Sequence, residues 1–237
     1  MGEVAEVDWQ NLLNKIRQYA KEAPHAATVG ETSIGSVNKD AACDRKLLRS
    51  SGVFARYCQA SFASIEARGV PEAIREQVRE VKEFADNLEE HLESGTGLLL
   101  RGPVGTMKTT LAVAVMQRQL QTGGHAMFLT MPSLLDSIFS AKATSPEEWS
   151  RFEMNLRQVP LLVLDDLGAE WSAGWVMTKV DAIFSERYNR RRSTIITTNL
   201  GGSDMKNRYA DRIIDRLRAT ARIITFNTPV SLRSTCV

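Results

Sequence analysis

Residues 98–110 read Leu-Leu-Leu-Arg-Gly-Pro-Val-Gly-Thr-Met-Lys-Thr-Thr, and this stretch decides the fold. An apolar run of the strand type leads into a glycine-rich turn. The turn ends in Lys-Thr at the start of residues 111–120, an apolar segment typical of a buried helix. Backbone N–H groups in such a turn bind phosphate oxygens, and the lysine adds a positive charge. The stretch fits G-x-x-x-x-G-K-[ST] at every fixed position but one, because Met107 replaces the second glycine.

The motif predicts a nucleotide-binding loop. Lys108 is expected to bind the outer phosphates, and the hydroxyl of Thr109 is expected to bind Mg²⁺. Only glycine approaches a phosphate without a Cβ atom, so we expect Met107 to turn its side chain away from the nucleotide. A chance match in a surface loop is the alternative, but the strand before the loop and the helix after it argue against chance. The predicted phosphate-binding residues are Gly102, Pro103, Val104, Gly105, Thr106, Met107, Lys108, Thr109 and Thr110.

A second part of the site is predicted where a buried strand ends in acids. Residues 160–164 form a continuous apolar run, as expected for a central strand covered on both faces, and Asp165 and Asp166 follow it. Both acids are also ordinary turn residues at a strand end. Downstream of a phosphate loop, we interpret Asp165 as a Mg²⁺ ligand and Asp166 as the residue that orients or deprotonates the attacking water. Because aspartate is one methylene shorter than glutamate, we expect slow hydrolysis.

The composition is that of an ordinary globular chain. Its 237 residues allow one domain of about 150–200 residues and an appendage. Apolar residues make up 43% of the chain and charged residues 24%. No apolar run is long enough for a membrane helix, and acids near the N-terminus do not fit a signal peptide. The scattered cysteines Cys43, Cys58 and Cys236 favour reduced thiols, so we expect a cytoplasmic protein that contacts no membrane.

Apolar segments of strand and helix type alternate along most of the chain, which predicts an α/β fold with a parallel sheet and helices on both faces. Before them, an apolar stripe at helical spacing (Trp9, Leu12, Leu13 and Ile16) precedes a linker-like segment, residues 24–42. We expect this stripe to dock on a partner protein, or else to fold back on the core. The predicted strands are Leu98–Arg101, Ala126–Thr130, Leu161–Leu164, Thr194–Thr198 and Ile223–Phe226.

A long helix is predicted to open at Pro71, to carry an apolar stripe as far as Leu92 and to stop at Gly95. Residues 72–93 contain eight acids and three bases, a net charge of −5. We interpret this acidic face as a solvated helix surface.

Asn199 and two arginines complete the predicted site. Asn199 follows the fourth strand and would lie beside the γ-phosphate and the attacking water, although a polar residue is also ordinary there. Arg212 and Arg216 share one side of a predicted helix, where they either solvate the helix or reach the phosphates of a neighbouring subunit. Residues 186–222 carry ten bases and four acids, a net charge of +6, which favours a polyanion or an acidic protein surface as partner.

In this order and at this spacing, the residues resemble the AAA+ helicase loaders of the DnaC type and a close relative, the transposition helper ATPase IstB. Ala60-Ser61-Phe62 resembles the short motif with which the ATPase domain of that family begins, and the resemblance extends from about residue 60 to residue 233. The other matching segments are the phosphate loop with Leu111-Ala112 after it, Leu164–Glu170, Ile195–Asn199 and Asp211–Arg218.

The resemblance implies an AAA+ P-loop ATPase domain over residues 60–237, with a central five-stranded parallel sheet, and a short helical partner-binding region over residues 1–59. It implies ATP and Mg²⁺ as cofactors and self-association that places ATP at subunit boundaries. Arg216 would then act in trans on a neighbour's γ-phosphate, Arg233 would act in cis, and Asn199 would be the sensor residue. In such loaders the N-terminal region grips the replicative helicase, and the ATPase ring engages single-stranded DNA.

Three departures from that family leave other functions open. Met107 replaces a glycine, Cys43 and Cys58 do not form the zinc-binding cluster that some loaders carry, and the N-terminal region matches the family only weakly. We also expect no helical lid of the kind that larger AAA+ proteins carry after the last strand. The favoured function is an ATP-hydrolysing helicase loader in DNA replication. The alternatives are a transposition helper that coats duplex DNA and recruits a transposase, and an interaction module that binds ATP without hydrolysing it. A small-molecule P-loop kinase is disfavoured, because it does not need the extra strand before Asp165 or the paired arginines.

Overall fold

The centre of the molecule is a five-stranded sheet, seen in a computed structural model that describes residues 45–140, 146–168, 174–228 and 231–232. The strands are β1 (Gly97–Arg101), β2 (Ala126–Thr130), β3 (Leu161–Leu167), β4 (Ser193–Thr198) and β5 (Ala221–Thr225). Every neighbouring pair is parallel, and the spatial order is β2-β3-β4-β1-β5. All five predicted strands and the predicted α/β fold are confirmed, although the bounds of two strands differ by more than one residue. The third strand runs three residues further than expected, so that Asp165 and Asp166 lie within it, and the last strand begins two residues earlier.

Helices cover both faces of this sheet. Within the described ranges, none of them combines the length and the apolar character that crossing a bilayer requires. The helices are α1 (Arg45–Ser50), α2 (Phe62–Ala67), α3 (Arg75–Asp86), α4 (Leu88–Ser94), α5 (Lys108–Gln121), α6 (Met131–Ser140), α7 (Pro146–Gln158), α8 (Gly174–Asn189), α9 (Gly202–Arg208) and α10 (Asp211–Thr220).

The prediction of one long helix that opens at Pro71 is wrong, because the structure has three shorter elements there. A 3-10 turn covers Glu72–Ile74, and α3 and α4 follow it, separated at Asn87, where φ is −108° and ψ is 26°. The Asn87 side-chain amide donates to the Glu83 carbonyl at 2.9 Å, a local bond through which asparagine competes with regular helix geometry. The predicted stop is confirmed, since Gly95 closes α4 in the left-handed region with a φ of 76°.

The core lies in two layers, one on each face of the sheet. Leu98 and Leu100 of β1 belong to the layer that α3 and α5 cover, whereas Leu99 belongs to the layer that α8 and α10 cover. This alternation is what a strand buried on both faces requires. Leu48 and Val53, which precede the predicted domain boundary at residue 60, pack in the first layer. The boundary itself stays a prediction, because residues 1–44 lie outside the described ranges.

A buried arginine, Arg187 of α8, ties three elements together at the start of β4. Its side chain donates from Nη1 to the carbonyls of Leu156 and Val159 and from Nε to the Thr194 hydroxyl, each at 2.9 Å. Its Nη2 donates to the Ser193 carbonyl at 2.6 Å. Burial lowers the pKa of Arg187 to about 9. The cation satisfies one carbonyl in the last turn of α7 and one just after it, where positive charge is favoured, and fixes the start of the strand that ends at the candidate site.

Candidate nucleotide-binding site

The phosphate loop joins β1 to α5 and requires glycine at two positions. Gly102 has a φ of 149°, and a Cβ atom there would lie 2.3 Å from the carbonyl oxygen of Phe226. Gly105 has a φ of 83°, and a Cβ atom there would lie 2.0 Å from the hydroxyl oxygen of Ser231. Both contacts are far inside van der Waals distance, so a larger residue at either position would force either the loop or the segment that it contacts to move. The loop is therefore held between the chain that follows β5 and the segment at residues 231–232.

Met107, the residue that breaks the glycine pattern, adopts a left-handed conformation just before α5. Its φ is 66° and its ψ is 11°. Left-handed geometry costs a residue other than glycine roughly 1–2 kcal/mol. The half-buried Met107 side chain packs against the core layer that contains Leu98, and this apolar contact offsets part of the strain. The packing explains why the loop tolerates methionine, while the orientation of this side chain relative to a bound nucleotide stays a prediction.

Replacing this methionine tests whether it is tolerated or required. We expect Met107→Gly to leave ATP affinity unchanged and to raise turnover, because glycine adopts a positive φ without strain and lets the loop approach the phosphates. Met107→Ala is the matched control, since it removes the packing but keeps the strained geometry. ATP affinity from calorimetric titration and turnover from phosphate release measure the two effects. A large loss of affinity in Met107→Gly would mean that the methionine side chain belongs to a specialised site.

Lys108 lies at the centre of the cleft rather than on an open loop surface. Only 6% of the residue is exposed. Its Nζ donates to the carbonyls of Gly102 and Pro103, at 2.7 Å each, and to Oδ1 of Asn199 at 2.9 Å. These bonds join the loop after β1 to the end of β4, so two predicted parts of the site are brought together. The lysine is thus placed where its ammonium group can exchange these acceptors for phosphate oxygens.

The two predicted metal ligands are in direct contact. The Thr109 hydroxyl donates to Oδ1 of Asp165 at 2.9 Å, and the Thr197 hydroxyl donates to the same oxygen at 2.6 Å. Asp165 is 3% exposed, and burial is the main reason that its pKa is raised, with repulsion from Asp166 acting in the same direction and the Thr197 hydrogen bond opposing it. A hydroxyl and a buried carboxylate in contact, beside a phosphate loop, fit Mg²⁺, which takes one or two carboxylates and keeps several waters.

Asp166 turns toward the cleft through an irregularity in β3. Its φ is 57°, a left-handed value that aspartate tolerates better than most residues. Asp166 borders the cleft together with Asn199, Lys108 and Thr109. The residues assigned to water orientation, phosphate binding and metal binding therefore meet at the carboxyl ends of the parallel strands, where ligands bind in open α/β sheets.

The opposite wall of the cleft comes from residues that sequence reasoning missed. Arg56, Tyr57, Ile65 and Arg68 line it, and the Arg56 guanidinium carbon lies 5.2 Å from the centre of the Tyr57 ring. The cleft holds about 480 Å³, within the usual range of ligand pockets. The Ala60-Ser61-Phe62 motif marked this region of the chain, but only tertiary packing shows that its neighbours face the phosphate loop. An aromatic ring and apolar side chains here are suited to the base and sugar of a nucleotide.

The two arginines of α10 lie apart from the residues that line this cleft. Both contact Asp181 of α8: Arg212 Nη2 lies 2.8 Å from Oδ2, and Arg216 Nη1 lies 3.4 Å from Oδ1. Arg216 also donates to the hydroxyl of Ser185 and lies 5.9 Å from the centre of the Tyr188 ring. The structure therefore brings together Lys108, the acids and Asn199, and it leaves Arg216 on the α8–α10 surface.

Arg233, the predicted cis-acting arginine, lies outside the described residues and stays a prediction. Leu232, which precedes it directly, donates its backbone N–H to the carbonyl of Gly105 at 2.9 Å. Leu232 also borders the cleft. The described chain thus ends against the phosphate loop, one residue before the predicted arginine.

Sheet order, a phosphate loop after β1, acids at the end of β3 and an asparagine after β4 define a P-loop nucleotide-binding protein of the AAA+ type. The particular family follows from the sequence. The chain belongs to the family described as IstB-like ATP binding protein, whose sequence profile matches residues 34–234.

Similar proteins include replication proteins. The replicative helicase loader DnaC of Buchnera aphidicola subsp. Schizaphis graminum is 28% identical over 179 residues, which are 73% of this chain and 69% of the relative. The crystal structure of a DnaC helicase loader matches with a TM-score of 0.64 and 26% identity, over 73% of this chain and 99% of that one. A replication initiator DnaA bound to AMPPCP and single-stranded DNA matches with a TM-score of 0.62 over 77% of this chain and 53% of that one. At 18% identity, the DnaA likeness concerns the fold alone.

Proposed function

We propose that this protein is an ATP-hydrolysing helicase loader. It binds ATP with Mg²⁺, acts as an oligomer, and places a replicative helicase on single-stranded DNA during DNA replication. The observation that carries the proposal is the hydrogen-bonded group of Lys108, Thr109, Asp165 and Asn199, which joins three segments in one cleft. Similarity to DnaC helicase loaders supports the choice of partner and process.

The phosphate loop, the two acids and Asn199 each have a role in this proposal. The loop N–H groups and Lys108 bind the phosphates, and Thr109 and Asp165 hold Mg²⁺, which neutralises charge on the phosphoryl group being transferred. Asp166 orients the attacking water or accepts its proton, and Asn199 fixes that water beside the γ-phosphate. Catalysis in such sites rests on positioning and charge. The short reach of Asp166 therefore slows hydrolysis but leaves its mechanism the same.

Partner binding is assigned to two other parts of the chain. The basic segment, residues 186–222, includes Arg191 and Lys206, both exposed, and it is suited to the phosphates of single-stranded DNA. Residues 1–59 are assigned to the helicase, with the stripe around Trp9 as the docking helix. That stripe lies outside the described residues, so the assignment rests on the sequence and on similarity to DnaC loaders.

A transposition helper is the second candidate, and the match to the IstB-like family favours it. The helper would use the same ATP site but would coat duplex DNA and recruit a transposase. A transposase gene beside the gene for this protein would favour the helper, whereas its absence there would favour the loader. An ATP-binding module without hydrolysis is the third candidate, for which Met107 and the short Asp166 would be signs of a decayed site.

Phosphate release from ATP by the full chain separates these functions. We expect slow, Mg²⁺-dependent release that responds to a single-stranded oligonucleotide more than to a duplex of the same sequence. Asp165→Asn is the control, because it keeps the size of the side chain but removes the charge that Mg²⁺ requires. A response to duplex alone would favour the transposition helper. Bound ATP with no phosphate released under any of these conditions would identify the non-hydrolysing module.

A further inference from the structure

The end of β3 contains a bulge between Leu164 and Leu167. Leu164 pairs with Ile196 of β4, and Leu167 pairs with Thr198, so β3 advances three residues where β4 advances two. The extra residue is accommodated at the two acids of the site, where Asp166 takes its left-handed φ of 57°. Bulges re-aim side chains, and residues in sparsely populated backbone regions persist only where surrounding contacts hold them. Some group must therefore hold this bulge.

Thr197 of β4 supplies that group. Its side-chain oxygen accepts the backbone N–H of Asp166 at 3.0 Å, and its hydroxyl donates to Oδ1 of Asp165 at 2.6 Å. The residue is fully buried. A hydroxyl carries one proton, and because the N–H of Asp166 is itself a donor, the proton of Thr197 is committed to the carboxylate. The 2.6 Å separation is that of a hydrogen bond strengthened by charge.

One side chain therefore contacts both acids of the site and fixes each by a different bond. The second hydroxyl on Asp165 comes from Thr109, which is itself a predicted ligand of Mg²⁺. Thr197, in contrast, belongs to the sheet, and a β-branched side chain in a strand has few alternative rotamers. Thr197 can thus set the rotation of the Asp165 carboxylate independently of the metal.

We propose that Thr197 is a positioning residue of the ATPase site, whose buried hydroxyl aligns Asp165 for Mg²⁺ and holds the bulge that directs Asp166 into the cleft. The proposal rests on the proposed function for its metal and its nucleotide. Outer residues that orient a metal ligand change metal affinity or activity by about 10–100-fold when they are replaced. Loss of the Thr197 hydroxyl should therefore act on Mg²⁺ and on turnover, and much less on nucleotide binding without metal.

Thr197→Val tests this directly, because valine keeps the shape of threonine and loses only the hydroxyl. Binding of a fluorescent ATP analogue to the full chain is measured as Mg²⁺ is raised, and again in the presence of a chelator. We expect the Mg²⁺ midpoint to rise by about 10–100-fold and turnover to fall by a similar factor. Affinity in the chelator should stay at the wild-type value. Thr197→Ser, which retains the hydroxyl, should restore both the midpoint and the turnover.

Ser193→Ala is the matched control. It also removes a buried hydroxyl from β4, but at the opposite end of the strand, where the Ser193 hydroxyl donates to the Thr96 carbonyl at 2.7 Å. Ser193→Ala should leave the Mg²⁺ midpoint unchanged even if it lowers thermal stability. Should Thr197→Val not fold, Thr197→Cys takes its place: a thiol is a weak donor, so an intermediate rise in the midpoint is expected.

Amide hydrogen exchange at Asp166 gives a readout that needs no nucleotide. Its N–H is bonded to Thr197, so exchange should become faster in Thr197→Val and stay slow in Thr197→Ser.

An unchanged Mg²⁺ midpoint in Thr197→Val, equal shifts in the Val and Ser variants, or unchanged Asp166 exchange would each overturn the proposal. Wild-type protein that binds ATP without hydrolysing it contradicts the proposed function alone, because the Mg²⁺ midpoint remains measurable. If wild-type protein binds no ATP, the proposed function and the role of Thr197 in aligning Asp165 for Mg²⁺ are both contradicted. In that case, amide hydrogen exchange at Asp166 still tests whether Thr197 holds the bulge.

Discussion

Lys108→Ala should remove measurable ATP binding from a chain that stays folded. The ammonium group is the full positive charge that the phosphate loop itself brings to the outer phosphates, and hydrogen bonds to charged groups contribute about 1.5–3 kcal/mol each. A lysine in a phosphate loop is expected to face solvent, but Lys108 is buried, so folding of the variant depends on what replaces the bonds of its ammonium group. Its Nζ partners include the carbonyls of Gly102, which is half-buried, and of Pro103, which is exposed, so water can replace the lysine at these two acceptors.

Calorimetric titration with ATP measures the loss, and a thermal melt followed by circular dichroism shows whether the variant folds. Lys108→Arg is the informative control, since it keeps the charge but changes the donor from a compact ammonium to a wider planar group. We expect it to bind ATP weakly. A folded Lys108→Ala chain that still binds ATP with micromolar affinity would contradict the assignment of residues 102–110 as the phosphate loop.

Sequence periodicity and motifs located most of the sheet, and they named the residues that the structure brings together at the centre of the candidate site. The phosphate loop and the apolar strand before Asp165 are local patterns, and parallel order brings the carboxyl ends of their strands to one edge. The contact of Thr109 with Asp165 follows from that order, and the structure has it at 2.9 Å. The Asn199 contact with Lys108 follows in the same way.

Features that depend on one local bond or on packing of distant segments were not predictable. The break at Asn87 comes from a side-chain bond to Glu83, and apolar periodicity continues across it without a signal. The wall formed by Arg56 and Tyr57 depends on how the segment before residue 60 packs against the core. The bulge at Asp166 leaves no trace in an apolar run that ends in two acids, because either strand register fits that pattern.

Arg216→Ala should bind ATP normally and hydrolyse it about 10³–10⁵-fold more slowly than wild type, the range for an arginine that reaches the transition state. Arg216 does not line its own cleft, and contacts with Asp181 and Ser185 hold it on the α8–α10 surface. Its side chain remains 30% exposed there. A charge fixed at a surface, away from its own phosphate loop, is suited to a site on a neighbouring subunit. Arg218→Ala, which removes an exposed arginine of the same helix, should keep wild-type turnover in the absence of DNA.

Mixing two inactive variants decides whether Arg216 acts in trans. A Lys108→Ala subunit binds no ATP but still presents Arg216, whereas an Arg216→Ala subunit binds ATP but lacks the arginine. If ATP lies at subunit boundaries, the mixture forms some sites with both groups, and phosphate release should return only after mixing. As a control, a Lys108→Ala, Arg216→Ala double variant takes the place of the Lys108→Ala subunit. It cannot supply the arginine, so mixing it with Arg216→Ala subunits should restore no phosphate release. A mixture that stays inactive, under conditions where wild-type subunits associate, would refute the trans role, and Arg216 would then be a DNA-contacting or solvated charge held by Asp181.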